Sequence, residues 1–318
     1  MPMISYAQNR EDVLLNRVFP GPEGFYIDVG AAHPVSDSVT KWFYDRGWSG
    51  VNVEPLEVFH RELVAHRPRD VNLNAAAGER SGEVTLYEVP ACVGWATTDP
   101  AAADAVRAAG REVVPRPTRV VTLAEICEQH AGRTIDFLKI DVEGGERGVL
   151  AGADFTRHRP RVLVIEATEV GRPCPNHQTW EPLVLVAGYL YATFDGLNRY
   201  YVRHEDADLV PVLQTPANVF DDYVPYEQDR AEREVAALRA EVEANVRERM
   251  ALQDVAREQE GRLVGLYADL DAVQAELTAL RQRTVPRPAF DAAVALLDQT
   301  RRHLDTLREE VFRPAASR

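Results

Sequence analysis

Between residues 24 and 203 the chain repeats one theme, a short apolar run followed by an amphipathic stretch. The runs "GFYIDVG" (24–30), "SGVNVEP" (49–55), "DVNLNAAAG" (70–78), "IDFLKIDVEG" (135–144) and "RVLVIEA" (161–167) are too short for buried helices, and read as strands. Residues 36–47, 57–68, 122–130, 146–153 and 179–187 carry helical periodicity. For the first of these, Ser36 or Asp37 is the expected cap and Gly47 the expected stop. "GEVTLYEV" (82–89) alternates with period two and predicts an antiparallel excursion, and "YLYATFDG" and "RYYVRH" predict two late strands. Alternating strands and helices imply an α/β domain, a mostly parallel sheet with helices on both faces.

After residue 225 the pattern changes. A heptad starting at Val235 places Val235, Val242, Arg249, Ala256, Leu263, Leu270 and Leu277 at one seam position. Leu238, Asn245, Leu252, Gln259, Leu266, Val273 and Leu280 take the other. Unbroken over residues 235–280, the register predicts a coiled-coil rod of about 70 Å. A seam of this length predicts a homodimer through those residues, with Asn245, Arg249 and Gln259 trading packing for register. "VPRP" (285–288) predicts a break, and a shorter helix follows with Phe290, Val294, Leu297, Leu304 and Val311 on one face. That helix is placed to fold back on the rod. The expected organisation is 1–225 as the α/β domain, 226–284 as the coiled-coil helix and 285–318 as the C-terminal helix.

Composition narrows the function classes. A formal net charge of −14 over 318 residues argues against a broad nucleic-acid surface, which needs clustered cations. The three cysteines (Cys92, Cys127, Cys174) are widely spaced, so neither a zinc site nor a disulfide framework is expected, and a reducing compartment is the default. No signal-peptide pattern opens the sequence and no apolar run approaches bilayer length, so a cytoplasmic protein without a membrane span is expected.

Ligands of such sheets bind beyond the carboxyl ends of the strands. Acids and amides gather there: Asp28 before Gly30, Glu54 26 residues later, and Asn74. A dinucleotide pyrophosphate wants GxGxxG at a helix N-terminus, whereas "DVGAAHPVSD" has one glycine of that fingerprint and an acid ahead of it. A nicotinamide-dependent enzyme is therefore disfavoured. S-adenosylmethionine makes the opposite demand, because its ammonium and sulfonium suit Asp28. Gly30, with Ala31 beside it, would let the backbone approach the methionine portion. Glu54 would accept from the ribose hydroxyls, and Asn74 would meet the adenosine.

With these residues placed, the chain resembles the FkbM family of S-adenosylmethionine-dependent methyltransferases. The likeness runs from residue 4 to about 224, through "SYAQNREDVLL", "FYIDVGAAHP", "GVNVEP", "NAAAGERSGEVTLYEV", "TIDFLKIDVEGGERGVLAGADF", "RPRVLVIEA", "HQTWEPLVLVAGY", "FDGLNRYYV" and "PANVFDDYV". It implies a Rossmann-like methyltransferase sheet, and methyl transfer commonly to an oxygen on a glycan, polyketide or other natural product. Asp28, Gly30 and Glu54 match the family's cofactor-binding positions, and Asp141 the acid beyond the fourth strand, beside the transferred methyl. The family often has Asn then Gly after its first motif, where this chain has Ala32-His33-Pro34. The C-terminal rod lies outside the resemblance. A catalytically degenerate scaffold, organising partner enzymes through the rod, is the alternative.

An alcohol acceptor must lose its proton to a base as the new bond forms. Asp141 and Glu143, on the same side of an extended turn with Val142 opposite, are the expected acids, and His177 in "RPCPNHQTW" is the other candidate. Glu146 is expected to start the next helix and serve structure. His33, Trp95, Asn198 and Arg199 are the expected substrate contacts, with Trp95 equally suited to anchor a lid and Arg199 to a surface ion pair. Three acids and two glycines resemble a hard-cation loop, but EF-hand spacing is absent and no metal is expected.

Overall fold

The computed structural model describes residues 2–169, 171–281 and 287–311. It divides into two compact units, Met1–Arg230 and Ala231–Arg318.

Unit one is built on a seven-stranded sheet: β1 (Phe25–Val29), β2 (Ser49–Val53), β3 (Val71–Leu73), β4 (Phe137–Ile140), β5 (Val162–Glu166), β6 (Tyr189–Phe194) and β7 (Asn198–Arg203). The strand order is 3-2-1-4-5-7-6. Strands β1 to β5 are parallel, and β7 runs antiparallel to both β5 and β6. The order departs from the dinucleotide-binding 3-2-1-4-5-6 by the antiparallel strand wedged in at the edge.

Alternation along the strands builds two cores. Ile27, Val51, Leu138 and Leu163 face helices Leu123–His130, Glu146–Ala151 and Glu181–Val186. Tyr26, Phe137, Val162 and Val164 face the other way, toward helix Glu11–Val18 and the aromatic pair Phe43 and Trp48. Asp28 and Lys139, one residue further from Ile27 and Leu138, belong by parity to this second face.

Three sequence expectations are corrected. The helix expected over 36–47 spans only Lys41–Asp45, because Asp37 takes a left-handed φ of 60° and bridges to Ala7. Neither Ser36 nor Asp37 caps it; Gly47 does stop it, at φ +104°. The strand expected over 70–78 divides, with Val71–Leu73 in the main sheet and Ala76–Ala77 in a smaller one beside Val114–Val121 and Gly82–Glu88. Gly82–Glu88 is antiparallel, as its alternation required. A helix over Pro100–Ala108, capped by Asp99, was not foreseen.

The loop left by the shortened helix is held by a buried cation. The Arg67 guanidinium donates to the Pro34 carbonyl from Nε (3.0 Å) and Nη2 (2.6 Å), and to Ser38 Oγ (2.9 Å). Its Nη1 lies 3.8 Å from buried Asp70 and 3.3 Å from the Tyr26 hydroxyl.

Unit two contains most of a 56-residue helix, Tyr226–Arg281, and a 25-residue helix, Arg287–Val311. Within it the second helix folds back: Arg301 reaches Gln274 and Asp271, Tyr267 donates to Asp305, and Leu304 is buried. Leu266, Leu270, Val273 and Leu277 line an apolar cleft with Leu297 and Leu304. The first half of the seam stays open, with Val235 46% and Leu252 63% exposed. Residues 282–286, including the first half of "VPRP", fall outside the described residues. Among the described residues no helix is long and apolar enough to cross a membrane.

Arg67→Ala should destabilise the α/β unit by roughly 3 kcal/mol or more, because it leaves Asp70 buried without its cation. Denaturant melts of the variant and parent check this.

Candidate active site

The carboxyl end of β1 is zipped to those of β4 and β2 by backbone contacts. Asp141 N–H donates to the Val29 carbonyl (3.0 Å), and Gly30 and Ala31 donate to the Val53 carbonyl. Gly30 sits at φ +80°, and a Cβ built on it would lie 1.7 Å from the Asp141 carbonyl oxygen. Only glycine fits where these two loops cross.

Lys139 lies beneath that crossing. Its Nζ donates to the Gly30 carbonyl (2.8 Å) and stands 3.4 Å from both Asp28 Oδ1 and Asp141 Oδ2. Burial alone would lower its pKa, but Asp28 and Asp141 outweigh that and hold the ammonium charged. Asp28 is 1% exposed, and its Oδ2 accepts from the Thr40 hydroxyl (3.1 Å).

Glu54, at the end of β2, uses both oxygens: Oε2 accepts from Ala32 N–H and Oε1 from Leu56 N–H, each at 2.8 Å. Burial pushes its pKa up to about 7 against those bonds. Glu146 begins the helix after β4 and turns inward, its Oε1 accepting from Val142 N–H (3.2 Å) and Gly144 N–H (3.1 Å). It therefore shapes the loop carrying Asp141 and Glu143. Glu143 has a left-handed φ of 54°, so the segment is not extended and strand alternation does not govern it. Its carbonyl accepts from Thr97 Oγ1 (2.7 Å), which ties segment 93–99 to this loop. Burial, then Asp141 and Glu146, raise the Glu143 pKa well above the usual carboxylate range.

These loops wall a cavity of about 370 Å³, within the size range of small-molecule sites. Among the expected residues, Gly30, Ala31, His33, Glu54, Trp95, Asp141 and Glu143 line it, with Val142 beside them rather than opposite. His33 Nδ1 accepts from Val35 and Ser36 N–H groups, so its ring also fixes the turn after β1. Trp95 sits in a one-turn 3₁₀ segment, its ring edge close against Gly171.

The remaining candidates are placed elsewhere. Asp28 lies behind the wall, against Lys139 and Thr40. Asn74 is exposed and donates to the Glu54 and Pro55 carbonyls (both 3.1 Å), supporting the Glu54 turn from outside. His177 does not line the cavity; its Nε2 stands 4.0 Å from Glu181. Arg199 is paired with that same Glu181. Asn198 is buried and donates to Glu11 Oε1 (2.7 Å), a structural bond between β7 and the first helix.

Sequence reasoning missed two groups. Lys139 lies inside the quoted motif, and as an ionisable residue in an otherwise apolar strand it was the available signal. Glu166 ends β5 beside β4 and carries one oxygen within 4.8 Å of oxygens of both Asp141 and Glu143. Burial, then Asp141, Glu143 and Glu146, hold its pKa far above the ordinary range. The strand-end rule that selected Asp28 and Glu54 applies equally to it.

A mostly parallel sheet with a cavity at its carboxyl edge defines an α/β protein. The chain belongs to the FkbM methyltransferase domain family, whose domain matches residues 28–191, from the β1 aspartate into β6. The match covers every cavity-lining residue except Gln8. No match was found among curated proteins.

Buried carboxyls set an unusual pH response. Glu11, Glu54 and Glu146 are pushed up to about 7 and Asp12 to about 6, each chiefly by burial. The folded chain holds these protons at a pH where the unfolded chain has released them. Their contribution is thus complete below about pH 4 and lost as pH rises through 7. The melting temperature should fall between pH 5 and pH 7.5, as thermal melts across that window will show.

Proposed function

We propose that this methyltransferase uses S-adenosylmethionine and methylates a hydroxyl oxygen on a glycan or other natural product. The observation that carries the reading is the charge of the cavity. Asp37, Glu54, Asp141 and Glu143 line it, and among the described lining residues Lys139 is the one fixed cation. Such a wall repels the pyrophosphate of a dinucleotide and attracts a cationic ligand. The helix after β1 begins only at Lys41, so no helix N-terminus follows Gly30 directly to receive a phosphate.

The donor set fits this cofactor. Each Glu54 oxygen accepts one backbone N–H and keeps a lone pair, enough for two ribose hydroxyls. Leu56, Phe59, Ala75, Ala76, Ala77 and Leu86 give an apolar surface for a flat ring. The Gly30–Ala31 backbone and Asp141 bound the end where a methionine portion would lie. When bound, S-adenosylmethionine supplies an electrophilic methyl group on a sulfonium. The chain's part is to hold the acceptor oxygen in line with it and to take the hydroxyl proton. Glu143, whose proton affinity is raised by burial and by Asp141, suits that base role. Asp141 beside it suits orientation of the cationic end, and Trp95 an acceptor contact at the rim.

The open seam at Val235, Leu238, Val242 and Leu252 supports a homodimer of the full chain, since apolar heptads of this length normally pair. Sedimentation equilibrium at micromolar concentration should give twice the chain mass, reverting to one when residues 226–318 are deleted.

Isothermal titration of the folded chain should show saturable heat with S-adenosylmethionine, and Glu54→Ala should weaken binding by at least about tenfold. Silence from folded protein contradicts the cofactor assignment. Asp141→Ala should abolish transfer without unfolding the chain, whereas Glu146→Ala should chiefly lower the melting temperature.

A further inference from the structure

Beside the cavity the ends of β4 and β5 bring three carboxylates together. Asp141, Glu143 and Glu166 each place one oxygen so that all three lie within 4.8 Å of one another. Oxygens bound to one hard cation at about 2.0–2.4 Å stand up to about 4.8 Å apart, so this spacing suits a shared ion.

Crowded acids alone are common on protein surfaces; Glu166 is different. It is 7% exposed, and its Oε2 has no hydrogen-bond partner among the described residues. Its other oxygen accepts from Thr168 Oγ1 at 3.4 Å. A buried carboxylate oxygen without a donor is costly, and the Glu166 carboxylate sits against two further carboxylates rather than a cation. Lys139 reaches Asp141 but is shared with Asp28, so it cannot neutralise the group. The neighbouring Glu146 is committed to backbone N–H groups of the loop.

We propose that Asp141, Glu143 and Glu166 form a binding site for one hard divalent cation, magnesium or manganese, at the rim of the cavity. The donors are all oxygens, which selects such ions over zinc or copper. Three protein ligands leave coordination positions open, as magnesium sites usually do. The task of the ion rests on the methyl-transfer reading: a hydroxyl on its open face is positioned beside Glu143 and loses its proton more readily. This revises the expectation of no metal, which considered the loop 141–146 alone. The third ligand comes from the next strand.

The test is independent of turnover. The full chain, stripped with EDTA and desalted, is titrated with manganese chloride at pH 7.5 while free Mn²⁺ is followed by electron paramagnetic resonance. One saturable site per chain, filled below about 1 mM, is expected, because affinity follows ligand charge. Glu166→Gln, nearly isosteric, should weaken it at least about tenfold while circular dichroism and S-adenosylmethionine binding are retained. Should Glu166→Gln misfold, the less buried Glu143→Gln should weaken Mn²⁺ binding likewise, judged on circular dichroism and Mn²⁺ affinity alone. Absence of saturable binding in the parent, or equal affinity in a folded variant, overturns the site. Failure of Mn²⁺ binding with cofactor binding intact rejects the ion and leaves methyl transfer standing. Mn²⁺ binding without cofactor binding keeps the ion site and rejects its catalytic task.

Discussion

One buried ammonium organises the functional edge of the sheet. Lys139 Nζ reaches the Gly30 carbonyl, Asp28 and Asp141, so a single side chain joins the ends of β1 and β4. Without it, the buried Asp28 would lose its cation and the crossing of the Gly30 and Asp141 loops would lose its polar anchor. The glycine at that crossing follows from the same contact, since the Asp141 carbonyl occupies the space of a Cβ. The cavity's position is therefore set by packing between two strands, before any ligand is considered.

Around this anchor the site is divided between structural and open acids. Glu146 holds backbone N–H groups and fixes a loop path, and Glu54 does the same while each of its oxygens keeps a lone pair. Asp141, Glu143 and Glu166 have more carboxylate capacity left over. That division gives the neighbourhood a negative potential without an equal number of internal cations. Cationic ligands and hard ions are the natural complements of such a field, and phosphates are not. The family match supplies methyl transfer as the chemistry, and the charge pattern supports a sulfonium donor for it.

Much of the fold was legible because apolar runs of strand length cannot be mistaken when they alternate with helical stretches. Where legibility failed, a local rule lost to a tertiary one. "VPRPTRVV" (114–121) carries Pro115 and Pro117, which argue against a central strand. It is nonetheless the middle strand, because Ala76–Ala77 pairs only with Val120 and Val121 and leaves the prolines on an open edge. Asp28 was read as facing the ligand, yet it is buried at the strand end, engaged by Lys139 and Thr40. Asn198 and Arg199 were expected to touch substrate, but Glu11 and Glu181 already occupy them. Glu166 was passed over although the strand-end rule reached it; what a single strand does not reveal is that its neighbour presents Asp141 and Glu143 beside it. Pairing order, and hence which strand ends meet, is the information a single sequence withholds.

The central claim is that the acid-lined cavity over the Gly30–Asp141 crossing holds S-adenosylmethionine. A crystal structure of the full chain grown with S-adenosylhomocysteine tests it most directly. The account predicts the ribose hydroxyls on Glu54, the adenine against Phe59 and Ala75–Ala77, and the sulfur facing Asp141 and Glu143. Ligand bound elsewhere, or bound here with its ribose away from Glu54, would contradict it.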